Sequence, residues 1–441
     1  MTALAGCEHL QTDEQQGQTV PETATTMRHG VEGVQMQAAW DGRVVPVAPG
    51  LGPSDAIDPS ETDTPLSDAV SIINEVGEKP GKGAVLLPPQ RITQDEPVRP
   101  SQFIQFLGWG PQTSNVTFTN LSEDGFRVTA LKEGKFVYLD GFTISGADIQ
   151  RREGGSAIHF TNDEASPKQF NIGYIAFRDW IDPVLDFENG SPYGSTWRHL
   201  DFGWNSNRGR EILLRKNQSL MGTQIDYISA GNATGDAVLS TNFAAARIKI
   251  GFINIGGSAG QAANITSARN GRIYIDGINF ESGVSTDKPI VELQGQAPIR
   301  LGHVQNTDAT VDSIVRLTEN NANKIIEHVR NLSSFGASVR TGKIDLANEP
   351  AGPSYYFGTT DDVSNSARAT TNRFWALGDM QAADGGSRAD RNVPSYSGAN
   401  ADDLSAGEIG VDTDPDGSVG PCLVFKDDDG KLHRWDSEPM R

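Results

Sequence analysis

Nine times between residues 106 and 329 the chain repeats one short pattern: an apolar residue, two positions often filled by Gly or Asp, then a second apolar residue. The copies begin at Phe106, Leu139, Ile172, Trp197, Ile225, Ile250, Ile275, Leu301 and Ile326, with steps of 33, 33, 25, 28, 25, 25, 26 and 25 residues. Three positions on lies a second apolar column: Trp109, Phe142, Ile175, Leu200, Ile228, Ile253, Ile278, Val304 and Val329. A third column, two further on, holds Ile144, Phe177, Phe202, Ile255 and Phe280, then gives way to Asn306 and Asn331. A repeat of this period makes each unit one layer of a stack that grows along a single axis.

The spacing inside a copy decides what the layer is made of. Apolar residues fall two and three apart and are mostly β-branched, as in Ile273, Ile275 and Ile278; this is strand chemistry with a bend, not a 3.6-residue helix. Gly108, Gly141, Gly173, Gly251, Gly277 and Gly302 mark the bend, where a residue without Cβ fits best. Many copies are followed by a second apolar run: 157–160, 184–187, 212–214, 290–293 and 314–317. Two or three short strands per ~25 residues form one coil of a solenoid. The expected fold is all-β: a right-handed parallel β-helix of about nine coils over residues 64–345, with extra loops near Leu121–Asp124 and Arg151–Gly155.

Charge narrows the partners. The formal net charge is −20, with 36 Asp against 21 Glu and 25 Arg against 12 Lys. Short carboxylates in excess and few lysines suit molar salt, where the Debye length is ~3 Å and self-repulsion is screened. An ordinary acidic surface is the alternative. Either way no nucleic-acid partner is expected, because a polyanion would be repelled and no basic stripe offsets the repulsion. The two cysteines, Cys7 and Cys422, form neither a disulfide framework nor a zinc pattern. No run of 18 apolar residues spans a membrane, and no export signal is expected.

The ends complete the organisation. Residues 1–63 read as a polar N-terminal arm for attachment, with one hairpin formed by 34–37 and 40–47. Residues 64–77 read as a short capping helix with Val70, Ile73 and Val76 inward and Gly77 as its stop. Residues 346–403 are a loop-rich connector, and 404–441 a small β-meander built on 408–412, 422–425 and 431–435. The helix, the strand ending in Leu86-Leu87-Pro88-Pro89, the extended segment 92–104 and Phe106-Leu-Gly-Trp-Gly110 together resemble the opening of the pectate-lyase-like β-helices. Tailspikes and tail fibres of tailed viruses share that opening, and the C-terminal module resembles those that finish many viral tail fibres. The resemblance implies a trimeric virion tail protein that acts outside the host cell, held to other tail proteins by its arm, and recognising a host-surface glycan or surface-layer protein. The charge adds a halophilic, archaeal host. The rival readings are a polysaccharide depolymerase on the same scaffold, a secreted adhesin and a purely structural decoration.

Candidate sites follow from the chemistry of polysaccharide cleavage, which needs paired carboxylates about 5–5.5 Å or 6.5–9.5 Å apart. Asp140, Asp226, Asp276 and Glu327 share one register with Arg198, and Asp226 and Asp276 lie two coils, ~9–10 Å, apart. A second group gathers Asp182, Asp186 and Glu188, with Asp179 and Trp180, and Asp201 one coil on. Trp180, Trp197, Trp204 and Arg198 are candidate glycan contacts. Tyr174, His199, Tyr227 and Phe252 occupy one register and read as a structural aromatic stack. Residues 412–417 begin like a calcium loop, but Leu423 stands where the last ligand must be Glu. No metal site or cofactor is expected beyond incidental Ca²⁺ or Mg²⁺.

Overall fold

The computed structural model describes residues 43–47, 57–74, 83–100, 103–128, 136–161, most of 169–347, and short strands from 354 to 435. It is a parallel β-solenoid of about eight turns, with very little helix. The repeat is also the register. Phe106 pairs with Leu139, Leu139 with Ile172, Ile172 with Trp197, and so on without a slip through Ile225, Ile250, Ile275, Leu301 and Ile326. All nine side chains are buried. Such a ladder satisfies each coil's backbone groups with the coils above and below while stacking identical columns inside.

Two long sheets carry the stack. The first runs from Arg43–Pro46 through Phe170–Arg178 and Lys324–Asn331 to Phe374–Ala376; the second from Phe126–Val128 through Leu185–Phe187 to Val363–Ser364. In the coil of residues 137–146 the first sheet still consists of two strands, Val137–Asp140 and Phe142–Gly146, separated only by Gly141. One coil later both pair with a single bent strand, Phe170–Arg178. Gly141 has φ +74°, and a Cβ there would lie 2.7 Å from the carbonyl oxygen of Gly108, so only glycine fits.

Several features go beyond or against the sequence reading. The parallel stack passes 64–345 at both ends: Arg43–Pro46 pairs with Gly83–Leu86, and Ser354–Tyr356 with both Lys324–Ile326 and Phe374–Ala376. Residues 44–46 are therefore in the first rung of the solenoid, while 34–37 lie outside the described residues. Trp109 leaves its column and is 52% exposed. The chain turns off the sheet at Gly110, where φ is +126°, and Asn115–Phe118 then pairs with Phe142–Gly146 in its stead. The third column does not simply decay: Asn306, fully buried, donates to Asn331 Oδ1 at 2.8 Å and to the Ala309 carbonyl, and accepts from the Ala309 N–H.

The cap is a ten-residue helix, Pro65–Asn74, burying Leu66, Ala69, Val70 and Ile73; positions 76 and 77 lie outside the described residues. Gln94, buried beneath it, accepts from the Leu66 N–H at 3.0 Å and donates to Ser67 Oγ and the Glu96 carbonyl. It thus occupies one of the helix's orphan donors. At the other end, Ile409–Asp412, Cys422–Lys426 and Leu432–Trp435 form an antiparallel meander, with Ser395–Tyr396 added in parallel. Among the described residues no helix is long and apolar enough to cross a membrane.

Candidate functional site

The outward face of the first sheet is built by the strand period: the columns between the buried ones point to solvent. One column between the core columns reads Asp140, Gly173, Arg198, Asp226, Gly251, Asp276, Gly302, Glu327, with Arg198, Asp226 and Asp276 exposed. Its alternation has a steric cause. A Cβ at Gly251 would lie 2.5 Å from the Asp226 carbonyl oxygen, at Gly302 2.3 Å from that of Asp276, and at Gly173 2.1 Å from the Asp140 carboxylate. At these three positions only glycine clears the preceding coil, and Gly251 separates Asp226 and Asp276 by a coil without a side chain. Their carboxylates have local partners: Gln224 Nε2 donates to Asp226 at 2.7 Å, and Lys249 Nζ lies 3.2 Å from Asp276.

Beside that column stand Tyr174, His199, Tyr227 and Phe252, in register across four coils. Tyr174 and His199 stack at 4.3 Å and 6°, His199 meets Tyr227 edge-on at 4.8 Å, and Tyr227 stacks on Phe252 at 6.0 Å and 12°. The Phe252 ring ends the ladder over Gly277, where a Cβ would lie 2.6 Å from it. Burial holds the His199 imidazole below its ordinary pKa, against the pull of Asp201. On the other flank Asn279 donates to Asn254 at 3.0 Å and accepts from Gln305 at 3.2 Å, continuing a polar column from Asp201 and Ser229. Asp201 itself receives Arg178 Nη2 at 2.6 Å and the Gly203 N–H at 2.9 Å.

A second assembly lies on the second sheet, where Arg127, His159 and Asp186 follow one another in register. His159 Nδ1 is 3.0 Å from Asp124 Oδ2, and its Nε2 is 3.0 Å from Glu188 Oε2 and 3.7 Å from Asp186 Oδ2. Asp124 also accepts from Arg127 Nε and the Ser156 N–H, and Arg215 grips Asp186 with Nε at 2.8 Å and Nη2 at 2.6 Å. Burial opposes the imidazolium, but the Asp124 hydrogen bond and the surrounding carboxylates outweigh it and raise the His159 pKa. Burial likewise opposes the Asp124 carboxylate, and His159, Ser156 and Arg127 together lower its pKa.

Of the sequence candidates, Asp186 and Glu188 come together, around a histidine that the sequence reading does not single out. Asp226, Asp276 and Asp201 stay apart from them on the first sheet. Asp182 lies outside the described residues, as do residues 413–421 of the calcium-like turn. Trp180 and Trp197 are corrected as glycan platforms: both are fully buried, their indole N–H groups donating to the carbonyls of Ile144 and Phe170. Arg152, from the early loop, covers Trp180 at 3.9 Å. Trp204 ends the strand Thr196–Trp204, and Arg198 is exposed. Compared with known proteins, the chain matches no family model, no curated protein and no solved structure.

Proposed function

We propose that this chain is a fibre- or tailspike-type virion protein that recognises a glycan or surface layer on its host, working as a homotrimer outside the cell. The observation that carries the reading is the outer face of the first sheet. Half-exposed aromatic edges, amides and charged groups recur there once per coil, at ~4.8 Å. A surface that repeats along one axis suits a ligand that also repeats along one axis, as an extended polysaccharide does. The helix–strand opening and the C-terminal meander support a tail protein, and the aspartate excess supports a host living in concentrated salt. The test is incubation with host-type cell envelopes in molar salt. Sedimentation of the chain with the envelopes, without release of oligosaccharides by mass spectrometry, is the expected result; failure to sediment refutes the reading.

A second reading, depolymerisation, is favoured by the convergence of Asp124, Asp186 and Glu188 on His159. Its weakness is chemical. Asp186 is held in a two-point grip by Arg215 and Asp124 accepts three hydrogen bonds, so neither is poised as a proton donor. Oligosaccharide release that disappears in Glu188→Gln would establish this reading over the first.

A further inference from the structure

The aromatic ladder has one free end, and the geometry points to a monosaccharide-binding slot there, between Tyr174 and the corner that carries Trp109. This rests on the glycan-recognition reading above and names its subsite. Tyr174 lies nearly parallel to His199, 4.3 Å away along the stack, so its opposite face looks toward the preceding coil. The residue in register there is Gly141, whose N–H donates to the Tyr174 carbonyl at 2.8 Å. It presents no side chain, and its positive φ and the nearby Gly108 carbonyl forbid one. One coil further, Gly110 N–H donates to the Gly141 carbonyl at 2.7 Å, placing exposed Trp109 at the rim.

From the level of Tyr174 to that of Gly108 is two coil spacings, ~9–10 Å. The Gly141 backbone and the Gly108 carbonyl form the back of the site, and one saturated six-membered ring would lie outward of them, ~3.5–4.0 Å from the Tyr174 face. The flat aromatic wall suits the C–H face of a neutral hexopyranose. Polar groups stand beside it. Asp140 accepts from the Tyr174 N–H at 2.7 Å and from Tyr138 Oη at 2.9 Å, and exposed Arg198 follows in the same column. Within the ladder each ring has a ring neighbour, edge-on between His199 and Tyr227, and its far end rests over Gly277. The slot is thus the place on this ladder where a sugar can lie flat.

The experiment is calorimetric titration of the full chain, in molar NaCl, with methyl β-glucoside, methyl β-galactoside, N-acetylglucosamine and their β-linked oligomers. The slot is supported if at least one probe binds, Tyr174→Ala and Trp109→Ala each weaken it about tenfold, and Tyr174→Phe stays within about twofold of the unaltered chain. Trp109→Ala lies outside the stack, so it separates lost contact from lost folding if Tyr174→Ala unfolds. Binding that is indifferent to both alanine variants overturns the slot and leaves glycan recognition standing. Binding of none of the probes overturns the slot as well, and sedimentation with envelopes then decides the broader reading independently.

Discussion

His159 is the residue whose ionisation couples most tightly to the fold. It donates from both ring nitrogens, to Asp124 and Glu188, and can do so only when protonated. Its folded pKa is raised above 6.5, so its stabilisation is fully present below that value and is lost as pH rises through the folded pKa. Asp124 has the opposite dependence: its pKa is depressed below 3.8, so its contribution is present above that value and lost in acid. His159→Ala should therefore cost about 2–3 kcal/mol near pH 5–6, because it leaves the buried Asp124 carboxylate without its imidazolium partner and removes the Glu188 contact. The cost should shrink as pH rises through the raised folded pKa, read as the difference in urea midpoint between variant and unaltered chain. A pH-independent difference would show that the imidazole acts by packing alone. Lys324 runs the other way. Burial pushes its pKa down to about 7, with Nζ on the Gly295 and Ala297 carbonyls. Between about 7 and 10.5 the unfolded chain holds the proton and the folded one does not, so stability at this site rises with pH. Measuring both as variant-minus-parent differences keeps the two trends from cancelling.

At the scale of the coil, the inward columns were legible because the core imposes the same demand every ~25 residues, and a strand out of register would expose its whole apolar set. What escaped the sequence reading has specific causes. The second-sheet strands Ala237–Ala244 and Gln261–Ser267 bury Val238, Leu239 and Ile265 among small or polar neighbours such as Thr241, Ala262 and Ala263, which break the apolar run. Trp109 sat at the right spacing, but Gly108 and Gly110 on either side turned the chain out of the column. The His159 assembly draws Asp124 from an early loop, 35 residues away, within one of the two irregular 33-residue steps; periodicity carries no information there, although the register of His159 with Asp186 was readable from the second runs. Two substitutions test the element-level account. Gly251→Ala should cost about 2 kcal/mol, because its Cβ would meet the Asp226 carbonyl at 2.5 Å and backbone cannot move aside as a side chain can. Asn306→Leu, which restores an apolar residue to the third column, should also destabilise, by about 2 kcal/mol, since Ala309 N–H and C=O lose their buried partner. A stabilised Asn306→Leu variant would mean that those groups find another partner.

For the whole molecule, the net charge of −20 sets two salt effects against each other. Ion pairs such as Lys249–Asp276 and Arg300–Glu327 lie at the surface, and salt weakens them, though each contributes only about 0–1 kcal/mol. Repulsion among the uncompensated carboxylates also weakens with salt, and this stabilises the folded chain. Between ~0.1 M and ~1 M the Debye length falls from about 10 Å to about 3 Å, shorter than the ~4.8 Å between stacked coils. Unlike charges in contact keep part of their attraction at that length, whereas like charges one or more coils apart lose most of their repulsion. The thermal midpoint should therefore rise from dilute buffer to molar NaCl, and equally in KCl at the same ionic strength. Chloride is the anion of choice, because sulfate would also strengthen apolar burial and blur the cause. Light scattering across the same series tests the proposed trimer, whose sister chains would bring three such charges together and make association the more salt-dependent step. A midpoint that falls with NaCl would mean that the ion pairs outweigh the relieved repulsion, and would remove the physical basis for a host in concentrated salt.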